Sequence, residues 1–299
     1  MGPRVGIHGA AGAVGSATAF ALALGGAQRL VLADAAADRL ACLQMDLELL
    51  GAALPRFAAA SGGLDELAAC EVVVACAGVP HRDGAPRAAF YDENAAILAP
   101  LAAALRQPGA QCRAVVLVTN PVDALATLLQ RRLGERVRVL GHGFNDTLRL
   151  RAAIARCRGC APAEVEAWSV GEHGPHAVPL LSRVRVGGAP AALTAAERAR
   201  VLDDVGGWYE RWQRHGTGRT SAWSTGWGAA ALVRALLDGD PRPWPVSLLL
   251  RGEWGVDGVC MTVPAVLGPE RGPRPLAWDV DAGERAAIAA AGAAIGALA

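Results

Sequence analysis

The sequence GAAGAVG, residues 9–15, follows the short apolar run Val5–His8 and precedes an apolar segment with helical spacing. A strand, a glycine-rich turn and a helix in this order are typical of a dinucleotide-binding fold. In such a turn Gly9 permits the sharp bend, Gly12 lets a pyrophosphate approach the main chain, and Gly15 lets the helix pack closely on the sheet. The stretch therefore predicts a βαβ unit that binds a dinucleotide.

A carboxylate at the end of the next predicted strand indicates which dinucleotide is bound. Asp34 closes the strand Leu30–Ala33 and lies 19 residues beyond Gly15. A carboxylate at this place accepts hydrogen bonds from a ribose diol and repels a 2′-phosphate, so NAD is expected rather than NADP. The phosphates are expected at the helix N-terminus, on the main-chain N–H groups of Ala13 and Val14. The alternative is an ordinary tight turn followed by a surface aspartate.

Fully apolar runs alternate with helical segments through the first half of the chain. Besides the two strands above, strands are predicted at Phe57–Ala60, Val72–Ala77, Ala114–Thr119 and Val137–Leu140, with a helix at Asp38–Leu50. Such alternation is typical of a parallel sheet that is covered on both faces. We predict an α/β fold in which residues 1–141 form a doubly wound parallel Rossmann sheet.

The residue pattern of the second half of the chain is different, with more turn-forming residues, more tryptophans and longer apolar stretches. Strands are predicted at Ala177–Val186, Val246–Leu250 and Val259–Pro264, and a closing helix at Ala282–Ala299. We predict that residues 142–299 form an α+β substrate domain packed against the first.

The composition excludes several classes of protein. Of the 299 residues, 53% are hydrophobic and 19% charged, which supplies enough apolar side chain for a large core. All 29 basic residues are arginine, so chemistry that requires a lysine amine is excluded. A net charge of +1 without a basic cluster argues against nucleic acid as a partner. No apolar stretch reaches the roughly 20 residues of a membrane span.

The seven cysteines are odd in number and lie mostly in apolar runs, which indicates a reduced, cytoplasmic compartment. Cys157 and Cys160 form a Cys-x-x-Cys pair, but no second pair is spaced to complete a tetrahedral site. We therefore expect no metal site.

Four later segments are rich in polar residues: VPHRDGAPR (79–87), VTNPVD (118–123), NDTLR (145–149) and GEHG (171–174). In this order and spacing they resemble the lactate/malate dehydrogenase family, and the match continues to RGEWG (251–255) and TVP (262–264). The resemblance implies an NAD-dependent enzyme that interconverts a small L-2-hydroxy acid and its 2-oxo acid.

Oxidation of a 2-hydroxy acid requires a base that titrates near neutral pH, and His173, exposed in a glycine-flanked turn, meets this requirement. The resemblance implies that Asp146 hydrogen-bonds this histidine and that Arg87, in a mobile loop, polarises the substrate carbonyl. Arg149, three residues after Asp146, would bind the substrate's C1 carboxylate through its planar fork. Asn120 would contact substrate or nicotinamide. Further cofactor contacts are expected from Ala77, Gly78, Asn94, Thr119 and Asn120.

The position that sets specificity in this family lies six residues before the loop arginine. Malate enzymes carry arginine there and lactate enzymes glutamine, whereas this chain has His81, followed by Arg82. A protonated His81, or Arg82, could bind a second carboxylate. The Gly-Ala-Ala-Gly pattern favours malate-type members, so malate and oxaloacetate are the expected pair. The alternatives are lactate, a bulkier 2-hydroxy acid, or a catalytically idle NAD-binding sensor or scaffold.

Two further predictions concern the contacts between subunits and the surroundings of the substrate. The resemblance implies a homodimer or homotetramer. The helix Asp38–Leu50 and the segment around Trp208 are the candidate contact surfaces, because apolar faces of that size are rarely left in water. A further set of residues lies in the region whose family counterpart borders the substrate, without a pattern that selects among them: Thr220, Trp223, Ser224, Thr225 and Trp227.

Overall fold

The computed structural model describes residues 2–27, 29–79, 87–216, 221–268 and 272–299, with Arg87 and Ala88 described by their main chain only. The first half of the chain supplies these strands: β1 (Arg4–His8), β2 (Arg29–Ala33), β3 (Ala58–Ser61), β4 (Val72–Ala75), β5 (Ala114–Leu117) and β6 (Arg138–His142). They pair in parallel in the order β3-β2-β1-β4-β5-β6. This is the doubly wound order, so the predicted fold class is confirmed.

Helices of the first half cover both faces of this sheet: α1 (Ala13–Leu24), α2 (Ala37–Ala53), α3 (Leu64–Ala68), α4 (Tyr91–Arg106) and α5 (Val122–Leu133). Alternate residues of β4 show why its sequence is continuously apolar. Val72 and Val74 pack with α1 and α2 on one face, whereas Val73 and Ala75 pack with α3, α4 and α5 on the other. A strand that is buried on both faces has no position for a polar side chain.

The second half comprises these elements: α6 (Phe144–Arg158), β7 (Val165–Glu166), β8 (Ser169–Gly171), β9 (Ala177–Pro179), β10 (Arg185–Val186), β11 (Ala189–Pro190), α7 (Ala195–Gly206), α8 (Trp208–Gln213), α9 (Trp223–Asp238), β12 (Trp244–Arg251), β13 (Asp257–Val266), β14 (Arg274–Pro275) and α10 (Ala282–Leu298). β12 pairs antiparallel with β6, β13 with β12, and β8 with β13. The sheet therefore continues from the first half of the chain into the second.

Helix α9 belongs to the second half in sequence but packs against α1. A Cβ added at Gly226 would lie 2.6 Å from Ala17 Cβ, so the two helices make close contact there. Ala229, Ala230 and Leu232 are buried in the same cluster as β1 and β2. Part of the second half thus completes the core of the first.

One predicted strand is wrong. Ala177–Val186 is not a continuous strand but consists of β9, a short 3-10 helix at Leu181–Arg183, and β10. The main-chain N–H of Leu180 bonds the carbonyl of Trp168, whereas that of Arg183 bonds the carbonyl of Leu180, which closes a turn. The apolar residues of this stretch are buried because the chain turns into the core.

The sheet positions the site. Strands β4, β5 and β6 end near residues 76, 118 and 143, and polar residues follow each of them at the same edge. Among the described residues, no helix is long and apolar enough to cross a lipid bilayer.

Candidate active site

Two glycines of the first turn are required by close contacts within the protein. Gly9 has φ +83°, and a Cβ there would lie 2.4 Å from the Ala77 nitrogen. A Cβ at Gly15 would lie 2.1 Å from the Gly9 oxygen. At Gly12, by contrast, the Gly9 oxygen, at 3.3 Å, is the only atom of the described residues that a Cβ would meet. The space over Gly12 is thus open for a ligand that approaches the main chain.

The carboxylate of Asp34 is fixed beside this turn. Its Oδ2 accepts a hydrogen bond from the Ala11 N–H and its Oδ1 one from the Ala36 N–H, both at 2.9 Å. Helix α1 begins at Ala13, which is exposed, and the first N–H groups of a helix have no partner within that helix. An open helix N-terminus for phosphates and a fixed carboxylate for a ribose diol are the groups that NAD requires.

The residues predicted to bind the nicotinamide side divide into two kinds. Asn94 connects two loops, because its Oδ1 accepts from the Val79 N–H at 2.8 Å and its Nδ2 donates to the Asn120 carbonyl at 2.7 Å. Thr119 Oγ1 donates to the Ala77 carbonyl at 2.7 Å. Asn120 Oδ1, in contrast, is buried and has no hydrogen-bond partner among the described residues. A buried acceptor without a donor is costly, and a bound amide or hydroxyl would satisfy it.

A close-packed trio lies where β6 passes into α6. His173 Nδ1 lies 2.5 Å from Asp146 Oδ2, and Arg149 Nη1 donates to Asp146 Oδ1 at 3.0 Å. The side chains are 9% exposed for His173 and 15% for the other two, so the prediction that the turn exposes the histidine ring is wrong. Asp146 and Arg149 share one face of α6 because they are three residues apart. The structure thus brings together three residues predicted from two separate segments, NDTLR (145–149) and GEHG (171–174).

The arrangement suits proton transfer. A carboxylate on Nδ1 orients the ring, holds a proton on that nitrogen and leaves Nε2 as the group that exchanges a proton. A second histidine, His142, is buried nearby at the end of β6, and burial lowers its pKa to about 4. His142 is therefore neutral at physiological pH.

Sequence reasoning missed two residues that contact the trio. Asp123, in the first turn of α5, is 2% exposed, and its Oδ2 accepts from the His173 main-chain N–H at 2.6 Å. Trp208, at the start of α8, lies under Arg149, with the guanidinium carbon 3.9 Å from the ring centroid. Asp123 stands in the segment VTNPVD (118–123) without a local pattern that marks its contact with His173, and the tryptophan stack depends on how α8 packs.

The α9 residues in the region whose family counterpart borders the substrate, among which the sequence did not select, have different surroundings. Thr225 is buried and accepts a hydrogen bond from Asn145 Nδ2 at 2.7 Å, so it supports α6. Trp223 is 79% exposed, and Trp227 packs on Phe144. Ser224 is exposed and hydrogen-bonds Ser221.

The described residues do not include three of the predicted ones: His81, Arg82 and Thr220. Arg87 begins a short 3-10 helix that ends at Phe90, and its predicted role stays a prediction.

The cysteines contribute no assembled site to the described part of the chain. Cys157 and Cys160 are free thiols, and no group of three or more possible metal ligands occurs among the described residues.

The comparisons with known proteins agree with this geometry. Residues 3–140 match the NAD-binding domain of lactate/malate dehydrogenases, which confirms the predicted cofactor, and residues 145–294 match the alpha/beta C-terminal domain of the same family. An L-lactate dehydrogenase of Thermus aquaticus is 35% identical over 279 residues, 89% of this chain and 88% of that protein. A malate dehydrogenase of Halobacterium salinarum is 31% identical over 300 residues, 94% of this chain and 93% of that protein.

Solved structures of both enzyme types are also similar. A malate dehydrogenase from Aeropyrum pernix has a TM-score of 0.89 at 26% identity, covering 98% of this chain and 96% of that one. A minor L-lactate dehydrogenase from Enterococcus mundtii has a TM-score of 0.88 at 27% identity, covering 99% and 97%. The relatives share one reaction type and differ in the substrate that their names give.

Proposed function

We propose that this chain, which belongs to the lactate/malate dehydrogenase family, interconverts malate and oxaloacetate with NAD as cofactor. Family membership already makes it an NAD-dependent dehydrogenase of small 2-hydroxy acids. The observation that carries the proposal is the contact of His173 with Asp146 and of Asp146 with Arg149, within a chain that binds NAD.

The residues divide the work of proton transfer and binding. NAD, when bound, exchanges a hydride with the substrate's C2. In oxidation His173 takes the hydroxyl proton on Nε2, and in reduction it returns that proton to the carbonyl oxygen. Asp146 stabilises the positive charge that this transfer creates on the imidazole. Arg87, on the resemblance alone, would stabilise negative charge on the substrate oxygen.

Arg149 would bind the carboxylate next to the reacting carbon. Its guanidinium is confined between the ring of Trp208 and the carboxylate of Asp146. A guanidinium that is already ordered loses less conformational entropy when substrate binds. The guanidinium of Arg149 would therefore present its N–H donors to the substrate carboxylate in one orientation.

The choice of malate depends on sequence features. The Gly-Ala-Ala-Gly pattern favours malate-type members, and Arg82 or a protonated His81 would bind the second carboxylate of malate. Malate dehydrogenases of three haloarchaea, each 31% identical to this chain, are among its relatives.

A substrate with one carboxylate is the second candidate. His81 replaces the arginine that malate enzymes carry, and the relative with 35% identity is an L-lactate dehydrogenase. Lactate or a bulkier 2-hydroxy acid would need no cation at residue 81. A catalytically idle NAD-binding protein is the candidate of another class, and the assembled trio argues against it.

A panel of 2-oxo acids tests these candidates. The oxidation of NADH is measured with oxaloacetate, pyruvate and longer 2-oxo acids, together with direct binding of NADH. We expect the highest kcat/KM with oxaloacetate. A preference for pyruvate or a longer acid would contradict the choice of malate, and NADH binding without turnover on any acid would indicate the idle protein.

We also propose a homodimer or homotetramer in the cytoplasm. The helix α2 was predicted as a contact surface, and it exposes Met45 and Leu49 to 66% and 74%. Large apolar side chains exposed together on one helix are typical of a surface that a second subunit covers.

A further inference from the structure

Asp123 is a buried carboxylate beside the active site for which the proposed reaction gives no role. It lies in the first turn of α5 and is 2% exposed. Its Oδ2 accepts from the main-chain N–H of His173 at 2.6 Å, and its Oδ1 lies 3.5 Å from Thr262 Oγ1. Asp123 thus joins α5, β13 and the loop that carries His173.

The loop after β8 leaves the main chain little freedom. Gly171 has φ +91°, and a Cβ there would lie 2.6 Å from the His176 oxygen. The loop also contains Glu172, whose Oε2 lies 2.6 Å from His176 Nδ1 on the exposed side. The bond from His173 to Asp123 anchors this loop on its buried side.

Few titratable groups among the described residues act on the Asp123 carboxylate. The described titratable groups that act on it are His173 and Glu172 from the loop and Cys260 from β13. Burial raises the pKa of the Cys260 thiol to about 12, so that group is neutral. Protonated His173 is the only positive charge within this described set, and His173 in turn faces Asp146 and His142.

We propose that Asp123 is a positioning residue of this reaction: its carboxylate fixes the main chain that carries His173, and its negative charge stabilises the imidazolium that forms there. The inference rests on the proposed function. A negative charge close to a developing positive charge in a buried site lowers the energy of the charged state. Asp123 would therefore act through His173 and not on the substrate.

The ionisation of Asp123 gives the proposal a pH signature. Burial raises the pKa of this carboxyl group to about 6, although the hydrogen bond from His173 opposes the rise. The charge is present above pH 6 and is lost as the pH falls through 6. The reduction of a 2-oxo acid needs a protonated His173. Its kcat/KM should therefore fall as the pH drops below 6 and Asp123 loses its charge.

The stability of the protein should respond in the opposite direction. An aspartate whose pKa is raised on folding binds its proton more tightly in the folded state than in the unfolded state. Its ionisation therefore destabilises the folded protein progressively between about pH 4 and pH 6. At pH 8, replacing Asp123 by a neutral residue of the same shape should not lower Tm.

Asp123→Asn tests the proposal, because asparagine keeps an oxygen that accepts from the His173 N–H but carries no charge. Glu284→Gln is the matched control: Glu284 is also a buried carboxylate that accepts a main-chain bond, from Ser182 N–H at 2.9 Å. For wild type and both variants, kcat/KM for reduction is measured from pH 5 to pH 9, with Tm and NADH affinity.

We expect Asp123→Asn to lower kcat/KM roughly 10- to 100-fold at pH 8, to abolish the acid limb near pH 6, and to leave Tm and NADH affinity unchanged. Glu284→Gln should lower Tm and keep the wild-type pH profile. An Asp123→Asn enzyme with the wild-type rate and pH profile would overturn the inference, as would one that loses Tm and NADH binding together with activity. A wild-type chain without turnover would instead remove the proposed function, and this inference with it.

Discussion

Asp146 connects the two groups on which the proposed chemistry depends. One carboxylate oxygen contacts His173 Nδ1 and the other accepts from Arg149 Nη1. The same side chain therefore orients the proton-transfer group and the carboxylate-binding group. On the proposed function, this shared contact would place a substrate that binds Arg149 beside His173.

The stack of Arg149 on Trp208 should determine how well the substrate carboxylate binds. A cation–π contact in a partly buried site contributes about 1–2 kcal/mol, so Trp208→Leu should raise KM for the 2-oxo acid about 5- to 30-fold with a smaller change in kcat. Trp208→Phe should restore most of this affinity. Steady-state kinetics measures both.

Trp278→Leu is the control for that prediction. Trp278 also carries an arginine, with Arg183 Cζ 4.8 Å from the ring centroid, but it packs on Trp168 outside the site. The Trp278→Leu substitution should lower the free energy of unfolding and leave KM unchanged. Equal KM values for Trp208→Leu and wild type would show that the stack does not position Arg149.

The sequence was sufficient to predict His173, Asp146 and Arg149 but not the role of Asp123. His173, Asp146 and Arg149 were predicted because each lies in a segment that resembles a known family. Asp123 stands in one of those segments, yet its role depends on the loop of His173 folding over it, 50 residues away in sequence. A contact of that kind leaves no local pattern.

The glycine turn between β1 and α1 combines two different requirements. Gly9 and Gly15 are fixed by contacts within the protein, whereas Gly12 faces open space apart from the Gly9 oxygen. The sequence predicted the βαβ unit correctly because strand, turn and helix are each encoded locally. It could not predict the break of Ala177–Val186 into two strands, because apolar residues in a turn and in a strand look alike when both are buried.

Substitutions in the turn should separate these requirements. Gly15→Ala places a Cβ 2.1 Å from the Gly9 oxygen, so we expect a lower Tm together with loss of NADH binding. Gly12→Ala should fold with a Tm near that of wild type and bind NADH at least tenfold more weakly, because the methyl group occupies ligand space. Calorimetry of folding and of NADH binding checks both. Unchanged NADH affinity in Gly12→Ala would place the phosphates elsewhere.

A continuous sheet joins the first half of the chain to the second half. β12 bonds β6, and α9 returns to pack on α1. The alternation of strands and helices predicted the parallel half. The return of α9 to the first core was not predictable, because the sequence of an apolar helix does not say which core receives it.

The exposed apolar residues of α2 should mark a subunit contact. Leu49 is 74% exposed, and a charge at a covered apolar position costs desolvation energy, so Leu49→Arg should shift the protein to a smaller assembly. Light scattering on a sizing column measures the mass. Arg113→Ala, at another exposed position on the surface, is the control. Identical masses for wild type and Leu49→Arg would exclude α2 as the contact.

In the proposed reaction His173, oriented by Asp146, transfers the proton while NAD serves as the hydride carrier. The most direct test is the single-turnover oxidation of NADH by the best 2-oxo substrate, measured for wild type and His173→Ala alongside NADH affinity. We expect His173→Ala to slow the step roughly 10²- to 10⁴-fold while NADH affinity stays within about twofold. A variant that oxidises NADH at the wild-type rate, or that no longer binds NADH, would contradict the account.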